Sequence, residues 1–328
     1  MLRFLIKRIL AGVLTLFAIS VVSFLMFFSL PRDPVSAMCQ KNCNEERLDR
    51  VRDELGLNDP KIEQYADYMT GIFVGRDLGS AQGGWCSAPC LGYSYVNSEE
   101  VTDAFLRVMP VTLSIVIPAA ILWLVMGIGL GIVSALRKGT ILDRLSIGFS
   151  LTGASLQIYF VGALLQLIFV YQLKILPVPG YTSIFEDPLK WASGLVLPWW
   201  TLAFLYSAIY TRLSRAQMLE TLSEDYIRTA RAKGLPKSRI YGRHALRAAI
   251  TPMVTIAGLD IGSVLGGTVI TETTFGLWGL GRMAVEAVLN SDLSTIMATV
   301  LVAAFFVVAA NIVVDLLYAV IDPRVRLN

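Results

Sequence analysis

The sequence predicts an all-α integral membrane protein with six transmembrane helices and a long exoplasmic loop after the first of them. Three observations carry this. Apolar runs of about 20 residues recur, the length needed to cross about 30 Å of hydrocarbon. Mean hydropathy is +0.62 while only 16% of the residues are charged, outside the range of soluble domains. Lys and Arg also divide unequally between alternate loops. A large soluble helical bundle is the competing class. Its helices would carry a polar stripe at 3.6-residue spacing, and these runs are apolar all round.

The runs are 9–30, 111–136, 145–171, 195–213, 249–270 and 294–320. The first follows Arg3, Lys7 and Arg8, is too long for a signal-peptide core and lacks a small-x-small cleavage site before Pro31. It reads as a retained helix with a cytoplasmic basic flank. The short loops on that side then hold Arg137, Lys138, Arg144, the cluster from Arg212 to Arg247, and Arg324 with Arg326. The opposite short loops hold only Lys174, Lys190 and Arg282. Both termini are therefore expected in the cytoplasm. Trp191, Trp199 and Trp200 sit where the fourth span enters, as an interfacial anchor would. The net charge of +3 needs no nucleic-acid partner.

Residues 31–109 form the long loop. "NEERLDRVRDELGL" (44–57) puts Leu48, Val51 and Leu55 on one face, closed by Gly56. "DPKIEQYADYMTGIF" (59–73) gives a second helical piece with Ile62, Tyr65 and Met69 on one side, and the stretch 75–94 is Gly-rich and irregular. All four cysteines lie here, as Cys39/Cys43 and Cys86/Cys90. An even number on an oxidising face reads as disulfides, with three connectivities open. Links between the two pairs are favoured because they would staple the start of the loop to its end. A four-cysteine metal or Fe–S site is the alternative.

One segment is polar in this apolar chain: "SEDYIRTARAKGLPKSRIYGRHALRAAITP" (223–252), with the only histidine, His244. "TLSE" (221–224) fits a capping box. A helix through Asp225, Tyr226, Ile227, Arg228, Thr229, Ala230, Arg231, Ala232 and Lys233 would start with acids and end with a base, matching the helix dipole. Gly234 supplies a left-handed stop and Pro236 prevents continuation. A second helix begins near Lys237, with Arg239, Arg243 and Arg247 every four residues along it. A basic loop under anionic headgroups would explain that stripe. It would not explain the sharply ended first helix, which reads as a docking element.

These residues resemble the EAA-type loop of binding-protein-dependent ABC transporter permeases. "DYIRTARAKGL" and "RHALRAAITP" are similar to the oligopeptide/dipeptide/nickel permease family, with Arg228-Thr229-Ala230 in place of Glu-Ala-Ala. "LPRDPV" (30–35), "LGL" (55–57), "QY" (64–65), "DLGSA" (77–81), "LPVPGY" (176–181), "TETTFGLWGLGR" (271–282) and "NIVVDLLYAVIDPRVR" (311–326) extend the likeness over nearly the whole chain. Three positions depart from the family. Arg32 stands for a usual Gly and Asp260 for a frequent Gln. Gln157, in "SLQIYFVG", stands where a Pro is common, which leaves a kink of the third span without its usual cause.

The resemblance implies a type I ABC importer permease fold in a bacterial inner membrane. It divides the chain into a first helix (1–30), a cap (31–109), a permease core (110–320) with a coupling loop (214–248), and a tail (321–328). It implies a second permease subunit, two ATPase subunits or one fused ATPase, and an external substrate-binding protein. Glu224, Asp225, Tyr226, Arg228 to Gly234 and Pro236 would engage the ATPase. Gln157, Asp260 and Glu272 would line the pathway, with a structural Asp260 bonded to a neighbouring helix as the alternative. Peptides are the implied cargo, with nickel, glutathione or haem-like cargo open. The chain lacks a G-x-x-x-x-G-K-[ST] loop. It is thus read as a non-enzymatic subunit without cofactor, ATP and Mg being bound by partners. An ion-coupled secondary transporter would need intramembrane ionisable groups. Asp260, Asp315 and Glu272 are thin material for one. A membrane protease would need a Ser–His pair, and Ser150 lies in a span while His244 is cytoplasmic.

Overall fold

The computed structural model describes residues 2–28, 59–78, 84–94 and 96–321. Helix α1 (Leu2–Phe28) is followed by α2 (Lys61–Val74) and two short antiparallel hairpins. Strand β1 (Arg76–Asp77) pairs with β2 (Trp85–Cys86), Arg76 opposite Cys86; β3 (Tyr93–Ser94) pairs with β4 (Glu99–Glu100), Tyr93 opposite Glu100. Then come α3 (Val101–Leu136), α4 (Ile141–Ser155) and α5 (Ile158–Gln166), which continues into a π-helical turn, Leu167–Gln172. Helices α6 (Pro188–Ser223) and α7 (Asp225–Ala232) precede a short turn, Lys237–Arg239, and a π-helical segment, Ile240–Ala245. These lead directly into α8 (Leu246–Leu265), and α9 (Val269–Thr274), α10 (Leu280–Leu289) and α11 (Leu293–Ile321) complete the chain.

Among the described residues five helices are long and apolar enough to span a membrane, and a sixth span results if α4 and α5 are taken as one bent pair. The bend between them is 102°. It falls at Leu156 and Gln157, both in extended backbone. The span predicted over 145–171 is thus broken at Gln157, and no proline breaks it. Packing does: Gly162 lets α5 lie against Thr274 and Phe275, and Gln166 donates to the Thr274 carbonyl at 3.0 Å. The fifth span likewise stops short of the predicted Ile270, at Leu265, and Gly267 (φ +141°) redirects the chain into α9.

Small residues let the long helices approach. Gly127 and Gly131 of α3 lie against Ser207, Thr211 and Ser214 of α6. Ser214 Oγ donates across to the Gly127 carbonyl at 3.1 Å. Gly258 and Gly262 of α8, and Gly266 just past its end, meet Val314, Ala310 and Ala303 of α11 in the same way. In a bilayer such close backbone approach replaces the hydrophobic drive between helices. The core gathers around Ile115, Trp123, Leu195, Leu202 and Tyr210.

The packing fixes what lies at each end of the bundle. Arg8 of α1 pairs with Asp315 of α11 at 3.1 Å. Ala135 at the end of α3, Met218 at the end of α6, Ile227 of α7 and Ala249 of α8 share one cluster. Since α8 and α11 run antiparallel, all of these occupy one end. The hairpins and α2 occupy the other, where Phe24, Tyr68 and Met297 pack together. There Asp292 caps α11, accepting from Ser94 Oγ at 2.5 Å and from Thr295 Oγ1 at 2.7 Å. Within α2 the inward face is Tyr65, Tyr68, Met69 and Ile72. Ile62, predicted on that face, is instead 82% exposed.

The cysteines correct an expectation. Cys86 and Cys90 are bonded to each other, within one pair rather than between pairs, and both are fully buried. Cys39 and Cys43, like the 44–57 segment, lie outside the described residues. The pairing follows from the chain path, since β2 and the turn after it bring Cys90 back beside Cys86. It also takes two of the four thiols that a four-cysteine metal site needs. By loop length such a bridge is worth about 2 kcal/mol, against about 4 kcal/mol for a link spanning the whole loop. Replacing both Cys86 and Cys90 by Ser is expected to loosen the cap by about that smaller amount. Proteolysis of the cap in intact membranes should speed up while the membrane helices stay folded. Unchanged cleavage would count against any stabilising role.

Candidate functional site

The polar elbow is built from the membrane end outward. Helix α6 does not stop at the apolar boundary but runs on to Ser223. Thr221 is therefore inside a helix, and its hydroxyl donates back to the Gln217 carbonyl at 2.8 Å. The predicted capping box does not form. Glu224 occupies the N-cap of α7 with no side-chain cap bond. The two inward residues of α7, Ile227 and Ala230, pack on Met218, Ile240 and Ala245. Asp225, Tyr226, Arg228, Thr229, Arg231, Ala232 and Lys233 all face out. The helix is thus held by one narrow apolar seam and offers the rest of its surface.

Its end is fixed by Gly234 at φ +73°, with Gly234 N donating to the Arg231 carbonyl at 2.9 Å and Leu235 N to Ala230 at 3.3 Å. Pro236 then starts the turn that leads into the π-helical segment. Arg239, Arg243 and Arg247 are exposed along this lead-in. The Arg228–Asp225 contact, 3.4 Å between exposed groups, contributes little. Tyr226 is 46% exposed. Partial burial, and then the Glu224 carboxylate, push its hydroxyl above the usual tyrosine range.

The three polar residues predicted for the pathway fall in three different settings. Gln157 is exposed at the bend. Asp260 is partly exposed on α8 and accepts a hydrogen bond from Tyr210 at 2.7 Å. Glu272 is fully buried. Its Oε1 accepts from Thr112 at 2.8 Å and Thr268 at 3.0 Å, and its Oε2 accepts from the Arg282 backbone N–H at 2.8 Å. That N–H lies in the first turn of α10, where a carboxylate is favoured. Glu272 therefore ties α9 and α10 to α3 inside the subunit. With no surface of its own it lines no pathway, which corrects the expectation.

Two family models cover the chain. Residues 1–116 match the "Binding-prot-dependent transport system membrane comp, N-term" family, and residues 127–327 match the "Binding-protein-dependent transport system inner membrane component" family. The chain belongs to the binding-protein-dependent transport system inner membrane components. Among its relatives is the "Dipeptide transport system permease protein DppB" of Escherichia coli (strain K12), 33% identical over 350 residues, covering 99% of each chain. Another is the "Probable peptide ABC transporter permease protein y4tP" of Sinorhizobium fredii (strain NBRC 101917 / NGR234). It is 32% identical over 323 residues, covering 98% of this chain and 99% of the other.

In this inner membrane component the structure adds residues that the sequence reading passed over. Asp143, 3% exposed, sits at the start of α4 beside the elbow end of α6. Arg215 grips it with both arms, Nε to Oδ1 at 2.7 Å and Nη2 to Oδ2 at 3.0 Å. Ser134 Oγ donates to Oδ1 at 2.6 Å and Gly139 N to Oδ2 at 2.9 Å. This clamp joins α3, α4 and α6 at the end that carries α7. Nothing in sequence spacing pairs positions 143 and 215. The Gly127-x-x-x-Gly131 spacing was a readable signal for the α3–α6 contact.

Proposed function

We propose that this chain is the transmembrane permease subunit of an ATP-driven importer and forms half of the pathway for peptides delivered by an external binding protein. Its outward-facing α7, held by Ile227 and Ala230 alone, is the observation that carries the reading. A polar helix placed outside the bundle with six of its eight residues turned outward offers far more surface than its Ile227–Ala230 seam uses, so it fits a groove in a partner. The partner is an ATPase, two subunits or one fused chain, binding ATP and Mg. A homologous second permease completes the pathway, which Gln157 and Asp260 border. The peptide cargo rests on the names of the relatives. The elbow end, with both termini, faces the cytoplasm, as the excess of Lys and Arg there supports, and the cap faces the binding protein. The membrane is the bacterial inner membrane.

Gly234→Asp tests the coupling role. An added Cβ would meet nothing within 4 Å, so the substitution acts through the left-handed backbone, at about 1 kcal/mol or more, and through its charge. The variant permease is expected to reach the membrane and assemble. ATP-dependent dipeptide uptake into proteoliposomes should fall about tenfold, the equivalent of ~1.4 kcal/mol in docking, while ATP hydrolysis continues. Unchanged uptake would rule the coupling role out.

A further inference from the structure

Asp260 lies on α8, roughly 16 Å along the helix from Ala249. Its carboxylate has one partner, the Tyr210 phenol on Oδ2 at 2.7 Å. Among the described residues no Lys or Arg stands within ion-pair distance of it. Its neighbours Leu259 and Ser263 are exposed, so this flank of α8 opens outward from the subunit. An ionised carboxylate among acyl chains costs about 2.5–3.5 kcal/mol even on the lenient scale, so an ionised Asp260 calls for a polar neighbour on this flank in addition to the Tyr210 phenol.

The wall opposite is aromatic and rigid. Tyr206 and Tyr210 lie one turn apart on one face of α6, the face on which Tyr210 meets Asp260. Behind Tyr206 the fully buried Trp123 stacks on its ring, centroids 4.6 Å apart. An anion would be repelled here. A divalent metal finds a single carboxylate, and no metal-binding cluster exists among the described residues. A carboxylate with one open oxygen beside a braced phenol ring suits a primary ammonium, which takes a charge-assisted hydrogen bond and a cation–π contact together.

We infer that Asp260, Tyr210 and Tyr206 form a transit site for the free α-ammonium group of the peptide cargo. The ammonium takes Oδ1 of Asp260, and the Tyr210 hydroxyl fixes the carboxylate by holding Oδ2. Trp123 keeps the Tyr206 ring in place. This rests on the peptide reading above and adds the part of the peptide that the permease recognises. A peptide with a blocked amino end would cross without this contact.

The test uses the whole transporter, with its binding protein, in proteoliposomes. A hydrophobic carbodiimide is allowed to react with Asp260, and the adduct is followed by mass spectrometry. Dialanine is expected to slow that reaction at least about fivefold, and N-acetyl-dialanine to leave it unchanged. Asp260→Asn, which keeps the size and the Tyr210 contact, should lower dialanine uptake about tenfold in a complex shown to be assembled by size-exclusion chromatography. Equal slowing by both compounds, or none from dialanine while the wild-type transporter imports it, would overturn the ammonium site and leave the peptide reading standing. So would unimpaired dialanine uptake by an assembled Asp260→Asn complex. A wild-type transporter that imports no peptide would overturn both. The labelling arm needs only the wild-type protein, so the site remains testable if the variant fails to assemble.

Discussion

Arg215→Ala is expected to destabilise the elbow end of the permease, because it removes the cation from a carboxylate held almost out of solvent between three helices. Asp143 would keep its bonds from Ser134 and Gly139 but lose the cation that neutralises it. The clamp joins three helices, so the loss is not confined to α4. The C-terminal turns of α6 that carry Met218, and through it α7, lose an anchor as well. Detergent-solubilised protein should melt well below the wild type, and less of the complex should be recovered from membranes. Replacing the pair together, with Asp143→Leu and Arg215→Met, is expected to recover most of the loss, since apolar replacement of a buried pair is often neutral or better. A melting temperature for Arg215→Ala within about 2 °C of the wild type, the shift that ~1 kcal/mol or less would give, would show that solvent and not Arg215 neutralises Asp143.

The second large effect is steric. Gly131→Val would drive a side chain into Ser214 Oγ, the Thr211 carbonyl at 2.6 Å and the Arg215 amide at 2.9 Å, measured from the position of an added Cβ. Two of these are backbone atoms and cannot rotate away. Helices α3 and α6 would have to separate, breaking the Ser214–Gly127 hydrogen bond and shifting Arg215 from Asp143. Overpacking of this kind costs about 3 kcal/mol or more. Loss of folded protein in membranes is the expected outcome, read by size-exclusion profile and thermal melting. Gly129 provides the control. It lies two residues away with nothing within 4 Å of an added Cβ, so Gly129→Val should stay within about 0.5 kcal/mol of the wild type. Equal damage from the two would show that helix propensity, not packing, is being measured.

The sequence by itself determined what is local or periodic. Apolar runs of span length located the membrane helices, since length and hydropathy suffice to predict insertion. Gly234 and Pro236 marked the end of α7, because a left-handed residue and a missing N–H stop a helix whatever surrounds it. Acids at 224–225 and the base at 233 matched the helix they flank. Asp260 announced itself because a carboxylate in an apolar run is rare. Only the tertiary structure decided what depends on residues far apart in the chain. The 102° break at Gln157 comes from α5 turning to meet α9, a contact across more than a hundred residues that no proline signals. The fate of Thr221 turned on how far α6 extends. Glu272 looked like a pathway group and is instead enclosed, because Thr112, Thr268 and the amide of Arg282 converge on it from three elements. Cys86 chose Cys90 because the turn after β2 returns the chain upon itself. The Asp143–Arg215 clamp stayed unread for the same reason: a pairwise charge contact between two helices leaves no period in either.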